Sequence, residues 1–479
     1  MLKRIAGHGA IYGAGELLAR LTAFLLVPVY TVMLPPEQLA IWGLGAMGLQ
    51  LLTTTYGLGL SAAVLQFQYD YEGDPEGLRV FNGTIVTFLL FWPLLLHGAL
   101  ELGAPGLLES WMPQLPWRPY GRMLSLTALL STATLVPIAF WTAGEKPKPY
   151  VLLSTAKALL ETLLTLVLLV AAGWGVLSIF AGRLAGALLI AVPMLVVTAR
   201  RVRLGLRWDL LGPAIAFGLP LLPHLLSTWA LTMADRLLLV RLDGAHSLGI
   251  YTASYWFAIA VNVMSMSAYR AWSPLFHKSV DDPEQEPALR RATTVFVGAV
   301  IFFAVGAASV APDVVRLVFD PSYHEGALLA RVLVLGAGFQ GLYYVQVAPL
   351  YNRKRKLAIP LASFSAATAN VALNLLWIPE HGAMGAAWAT LLSYGVLAGV
   401  TAAFARREME LPVRWDVAGA CVLGVGAAYG IGEIAPVAEL VSGLGEGVWA
   451  TRAGLAAALV LKFGLFGLAA ATIWRMLKR

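Results

Sequence analysis

"GWGVLSIFAGRLAG" (residues 173–186) and "EHGAMGAAWATLLS" (residues 380–393) are two versions of one segment, with Gly175 aligned to Gly382 at an offset of 207. A second pair lies upstream of each. "LPPEQLAIWGLGA" (34–46) echoes "LDGAHSLGIYTAS" (242–254), and Ile41 falls opposite Ile250 at an offset of 209. Two independent places give nearly the same period, so the chain carries a long internal duplication. What lies between these segments is overwhelmingly apolar. Of 479 residues, 59% are hydrophobic and 13% charged, against roughly 45–50% and 25% in a soluble domain. This predicts an all-α polytopic membrane protein.

Runs long enough to cross roughly 30 Å of hydrocarbon fall at 7–34, 38–66, 80–103, 120–143, 150–172, 175–199, 212–241, 247–276, 290–311, 327–351, 356–378, 382–405, 415–434 and 453–474, fourteen spans in all. The first follows Lys3 and Arg4, is too long for a cleaved signal, and reads as a retained span. Charge tests the count, because cytoplasmic loops collect Lys and Arg. With the N-terminus inside, inward loops and termini hold 22 basic residues, among them Arg79, Arg200, Arg201, Arg203, Arg207, Arg290, Arg291 and "RKRK" (353–356). Outward loops hold 5: Arg118, Arg122, Arg241, Arg316 and Arg452. Both termini are therefore expected in the cytoplasm. The repeat period equals six spans, which predicts bundles at 1–205 and 206–405 and two additional helices at 406–479. An even span number gives the two repeats the same orientation, and substrate sites in such proteins lie between repeats near the midplane.

The net charge of +7 sits in short loop clusters, which argues against a nucleic-acid partner. The single cysteine, Cys421, excludes an internal disulfide framework and a cysteine metal cluster. "GAGFQG" (336–341) fits the dinucleotide fingerprint but follows no strand. Ser154 and Lys157 have a β-lactamase spacing without its companion motifs, and the sequon at Asn82 is expected on the cytoplasmic side. There is no nucleotide-binding loop to couple ATP directly, and no residue set suits an enzyme.

Four stretches, "YGLGLSAAVLQFQYDY" (56–71), "ADRLLLVRLDGAHSLGIYTASYWFA" (234–258), "RLVFDPSYHEGALLARVL" (316–333) and "ANVALNLLWIPEHGAMGAAWATLLSYG" (369–395), cover about a fifth of the chain. Together they make it resemble the polysaccharide transporter family, the O-antigen-type flippases of the multidrug/oligosaccharidyl-lipid/polysaccharide flippase superfamily. The resemblance implies two bundles in a V around a central cavity, alternating access, and a lipid-linked sugar carried from the cytoplasmic to the outer leaflet of a bacterial inner membrane.

Ionisable residues inside spans cost about 2.5–3.5 kcal/mol each and face protein or water. The basics expected to be buried are Arg20, Lys157, Arg183, Arg236, Arg270, Arg331 and Lys462; the acids are Glu16, Glu161 and Asp235. Excess positive charge suits a diphosphate headgroup, and arginine's planar fork suits it best. In span one His8, Tyr12, Glu16 and Arg20 share a face, either binding phosphate or forming a structural ion pair. In span seven His224, Thr228, Thr232 and Asp235 form a stripe. Asp235 and Arg236 point about 100° apart, so each is expected to take a different partner, in the cavity or within the bundle. Tyr255, Asn262, Ser265 and Tyr269 suggest a cavity face ending at Arg270, for which snorkelling to headgroups is the alternative. Lys157–Glu161 reads as an i, i+4 pair, Arg183 as locally unpaired, Arg331 and Lys462 as snorkelling, and Asn370 with Asn374 as interhelical hydrogen bonders.

The reading is a flippase for a lipid-linked oligosaccharide. Arg20, Arg236, Arg270, Arg183, Tyr255 and Asn262 line its cavity, and Glu16, Asp235 and Glu161 act as coupling or ion-pair acids. No cofactor or metal is expected, with Na+ or H+ coupling open. Expected partners are the lipid-linked substrate and membrane lipids, with a polysaccharide polymerase and glycosyltransferases as further candidates around a monomer. The alternatives are a cation-coupled multidrug antiporter, which Glu16 and Asp235 would serve, and a non-transporting scaffold of a glycan-assembly complex.

Overall fold

The computed structural model describes residue 24 and residues 26–71, 73–143, 147–355, 357–414 and 448–478, with positions 416, 419, 423, 426 and 430 between them. The described residues are helical and turn-connected, with no strand among them. The chain packs as two compact units: residues 1–26 with 37–237, and residues 27–36 with 238–479. This is a division by packing. The bundle boundary expected at 205/206 rests on sequence similarity.

In the first unit α1 (Pro36–Gly57), α2 (Leu60–Phe67), α3 (Pro75–Trp111), α4 (Arg122–Thr132), α5 (Leu135–Ala143), α6 (Pro147–Leu166), α7 (Leu177–Ala199) and α8 (Trp208–Gly218) follow in order. Proline opens α1, α3 and α6, where its missing N–H costs nothing. At α3 Asp74 Oδ1 adds an acceptor for the Gly77 N–H, 2.9 Å. α1 and α2 form a pair bent by 43°. Leu58 and Gly59 take left-handed φ at the bend, and the Gly218 backbone sits where a Cβ on Gly59 would go. Leu60, Val64, Phe81, Ile85, Val136 and Leu211 close a core around this junction. Gly182 and Gly186 on α7 press against Thr165 and Glu161 of α6, a small-xxx-small approach of the kind that drives helix association in lipid.

α9 (Leu222–Leu242) carries the chain towards the second unit, which holds α10 (Ala245–Ser279), α11 (Glu286–Val318), α12 (Gly326–Asn352), α13 (Ala358–Arg406) and α14 (Val448–Lys478). Trp272, Phe276, Phe296 and Tyr344 centre its core. The "GAGFQG" glycines lie within α12 and serve packing: Gly336 faces Leu391, Gly338 faces Ala304, and Gly341 faces Ser265 and Val300. α13 covers two expected spans in one helix that kinks at Gly382, φ 53° and ψ −136°. Among the described residues eight helices are long and apolar enough to cross a membrane, or nine if the α1–α2 pair is one span.

The repeat is visible in how each unit packs. In the first, the Gln38 side chain accepts the Val176 N–H at 3.2 Å and lies against Gly175, φ 56°. In the second, Asp243 lies against Gly382. The same two segments meet in both units, each at a glycine with left-handed φ.

Candidate functional site

The first unit holds an open cavity of about 650 Å3 between α1, α2, α4, α5, α6 and α7. Its polar lining includes Thr53, Ser61, Thr127, Ser131 and Thr134, and its ionisable lining is Lys157, Glu161 and Arg183. Thr53, Thr127, Ser131 and Thr134 spend their hydroxyl protons on backbone carbonyls one turn back, at 2.7–2.9 Å. They therefore present lone pairs to the cavity, which suit hydroxyl donors on a ligand. Oxyanions must be met by the two cations.

Packing fixes where those cations stand. The close approach of Gly182 and Gly186 to α6 sets Arg183 beside Glu161 on one wall. The Arg183 guanidinium lies over the Trp42 ring, 4.3 Å from its centroid, which holds the charge by a cation–π contact. Trp42 in turn packs edge-on against Phe180, with centroids 5.5 Å apart. Lys157 Nζ and Glu161 Oε1 are 3.9 Å apart.

The two aligned segments fill this position differently. Within the aligned segments Arg183 corresponds to Thr390 and Trp42 to Tyr251. In the second unit Tyr251 Oη and Thr390 Oγ1 are 3.2 Å apart. One helix-packing position is thus filled by a neutral hydrogen bond in one repeat and by an arginine on tryptophan in the other.

Other expected residues fall elsewhere. Glu16 and Arg20, with His8 and Tyr12, lie outside the described residues. Asp235 and Arg236 are buried and contact each other. Arg236 Nη1 lies 3.0 Å from Asp235 Oδ1, which also accepts the Arg236 N–H at 2.8 Å. Side chains on a helix tilt towards its N-terminus. The long arginine therefore folds back to the Thr232 carbonyl, 2.8 Å away, passing the carboxylate. Tyr255 is buried with its hydroxyl 3.3 Å from Tyr394 Oη, and the Asn262 amide meets Gln340 and Tyr344. These make a polar seam within the second unit. Arg270 is exposed rather than buried.

Two further expectations are corrected. Asn374 bonds back to the Asn370 carbonyl and side chain, 2.9 and 3.0 Å, one turn away on the same helix. Lys462 does not snorkel. It is 4% exposed, and its Nζ sits 2.7 Å from Asp313 Oδ2 and 3.1 Å from the Ser309 carbonyl. Arg331 Nε donates to the Ala308 carbonyl at 3.2 Å. The cause is Pro312, which has no N–H for that carbonyl and opens the turn. A span ending at 311 concealed Asp313. Sequence reading also missed a polar chain in the first unit. Ser125 Oγ lies 2.6 Å from Tyr56 Oη and 2.8 Å from His97 Nδ1, and Glu101, one turn beyond His97, pairs with Arg122 at 2.9 Å. The i, i+4 spacing of His97 and Glu101 was its available signal.

Two further hollows lie among the described residues. A groove of about 970 Å3 in the second unit runs along Ala271, Trp272, Val295 and Phe296 to Arg290, Arg291 and Arg414. Two of these arginines already face acids, Arg290 with Glu286 and Arg414 with Asp416. A smaller pocket lies at one end of the first unit. Tyr255, Asn262 and Arg270 line none of the three. No group of His, Cys, Asp and Glu among the described residues is placed to hold a metal ion.

The fold is that of the flippases and multidrug exporters. It superposes on the lipid II flippase MurJ in an inward-closed conformation with a TM-score of 0.79 and 11% identity, over 98% of this chain and 100% of that one. An outward-facing multidrug resistance MATE transporter of the MOP superfamily matches at 0.61 and 14%, over 84% and 95%. A MOP transporter from Pyrococcus furiosus, described by a reversed polarity of its binding pocket, matches at 0.57 and 15%, over 84% and 95%. The chain belongs to the polysaccharide biosynthesis protein family, which it matches over residues 29–328. No curated protein sequence matches it.

Proposed function

We propose that this protein flips a polyprenyl-diphosphate-linked oligosaccharide from the cytoplasmic to the outer leaflet of a bacterial inner membrane, for cell-surface polysaccharide such as O-antigen. The observation that carries this reading is the cavity with Lys157, Glu161 and Arg183, whose arginine has the neutral Thr390 as its repeat counterpart. Two cations against one acid favour an anionic ligand, and the ring of lone-pair-presenting hydroxyls suits a sugar. Family membership and the MurJ-like fold support a lipid-linked substrate. The mechanism proposed is alternating access by a monomer with two six-helix bundles, at 1–205 and 206–405, in a V, with two further helices at 406–479. It has fourteen spans and both termini in the cytoplasm. Glu16 and Arg20 on the first span are proposed to join the cavity from the leading helix, with Na+ or H+ as the coupling ion. A polysaccharide polymerase and glycosyltransferases are the proposed neighbours.

The test is reconstitution in vesicles with a fluorescent diphosphate-linked glycolipid. Arg183→Thr combined with Lys157→Gln should slow translocation at least about ten-fold, the equivalent of one charge-assisted hydrogen bond. An unchanged rate overturns the cavity assignment. A cation-coupled drug antiporter is the second reading. It draws on Glu161 and on the MATE-like fold, and it predicts drug sensitivity rather than glycan loss on deletion.

A further inference from the structure

The smaller pocket of the first unit, about 280 Å3, has a makeup unlike the central cavity. It lies where helices end: the first turns of α3 give Arg79 and Asn82, and the last turns of α7 give Met194 and Val197, with Arg201 just beyond. The apolar spans Pro75–Gly106 and Leu177–Ala199 begin and stop near these residues, as expected of a pocket at a membrane surface. Its inner wall is apolar, with Leu78, Val136, Met194 and Val197.

Three polar groups face this wall. Asn82 is 5% exposed, and its Oδ1 has no hydrogen-bond partner. An amide held like this can turn by half a rotation to offer its NH2 to an oxyanion. Arg201 has no ion-pair partner among the described residues. Arg79 is held by its Nε on the Arg201 carbonyl, 3.2 Å, and by Glu76. The backbone behind them is tied down. Arg203 N–H donates to the Arg79 carbonyl at 3.0 Å, Gly205 N–H donates to Thr87 Oγ1 at 3.1 Å, and the Arg203 carbonyl lies against Gly83. Residues 201–205 are thereby strapped along α3, which fixes the backbone that carries Arg201 and lowers the entropy lost on binding.

A pocket of this size is near the lower end of the roughly 300–1,000 Å3 of small-ligand sites, enough for a headgroup and the start of a chain. Paired guanidinium groups recognise phosphate oxygens. The apolar wall contributes nothing to a free inorganic anion, and a choline headgroup would bring its own cation towards Arg79 and Arg201. We propose that this pocket binds a bilayer phospholipid with an anionic phosphodiester headgroup. Its phosphate rests between Arg79 and Arg201 with the Asn82 amide beneath it, and its chain lies along Val136, Met194 and Val197. The bound lipid would pin residues 200–207, which lead into α8, to the start of α3. The site is separate from the transport cavity, and the proposal stands without the flippase reading.

The test uses the purified full chain in detergent, titrated with dioleoyl phosphatidylglycerol, dioleoyl phosphatidylcholine or sodium phosphate and read by native mass spectrometry and melting temperature. Phosphatidylglycerol should bind at least about ten-fold more tightly than phosphatidylcholine, and Arg79→Gln with Arg201→Gln should remove that margin, the equivalent of one charge-assisted contact. Val197→Trp, which fills the pocket and keeps both arginines, should also weaken phosphatidylglycerol binding. Equal binding of the two lipids overturns the proposal, as does retention of the preference in the double variant. Displacement of the lipid by sodium phosphate at equal concentration would show a free-anion site and overturns it as well.

Discussion

Lys462 on α14 and Asp313 on α11 meet at 2.7 Å, both largely buried. The pair sits one residue past Pro312, at the turn whose free Ala308 carbonyl takes Arg331. Proline opens backbone acceptors inside an apolar helix, and in hydrocarbon such groups must find donors. Two cations from other helices supply them, and Asp313 balances the charge of one.

Lys462→Met or Asp313→Asn alone should therefore lower stability by about 3–5 kcal/mol, the cost of leaving a buried charge unpaired. Lys462→Met together with Asp313→Leu should recover most of it. Melting temperatures of the three variants in detergent form the check. An unshifted single variant would mean that the ion pair does not hold α14 to α11.

Trp42→Leu should loosen the seat of Arg183 without removing its charge. The expected loss is about 0.5–2 kcal/mol of cation–π energy. Translocation should fall while the protein stays folded. Tyr251→Leu, at the matching position of the other repeat, should reduce stability with no specific loss of transport. Comparing rate with melting temperature across the two variants separates the roles.

Gly175→Ala and Gly382→Ala should each destabilise by about 1–3 kcal/mol, because both positions need a left-handed φ that a Cβ strains. The neighbours Gln38 and Asp243 stand in the way of the added methyl. Equal stability of either variant with the parent would contradict the shared packing of the two repeats.

Asp320 accepts the Ser322 N–H and hydroxyl at 3.0 and 2.8 Å, ahead of α12, and these bonds hold its carboxyl below the usual carboxylate range. A depressed folded-state value stabilises the protein above the unfolded carboxylate range. That stability is lost as pH falls through the folded value. Asp320→Ala should thus melt lower than the parent at neutral pH, by less than about 1 kcal/mol for so exposed a group. The gap should close in acid. A gap independent of pH would assign the effect to backbone propensity instead.

The membrane class was legible in composition alone. The duplication was legible in four short segments, and Gly175 and Gly382 share a left-handed φ in the structure as well as a place in the alignment. Arg183 stood out as a charge with no local partner. Its seat on Trp42, 141 positions away in sequence, did not, because nothing in either segment states which faces meet. Asp235 and Arg236 read as diverging, and they also contact each other, because a long arginine side chain can fold back along its own helix.

The sequence by itself determined what the chain must do with its apolar surface: form helices, bury their polar backbone, and repeat one packing scheme twice. Hydropathy and period are properties of neighbouring residues, so they can be read in order. Which cation entered a cavity, which paired with an acid and which served an open carbonyl was decided only by tertiary structure. An isolated charge in a span has several acceptable partners, and the choice among them depends on helices as much as 149 positions apart in sequence.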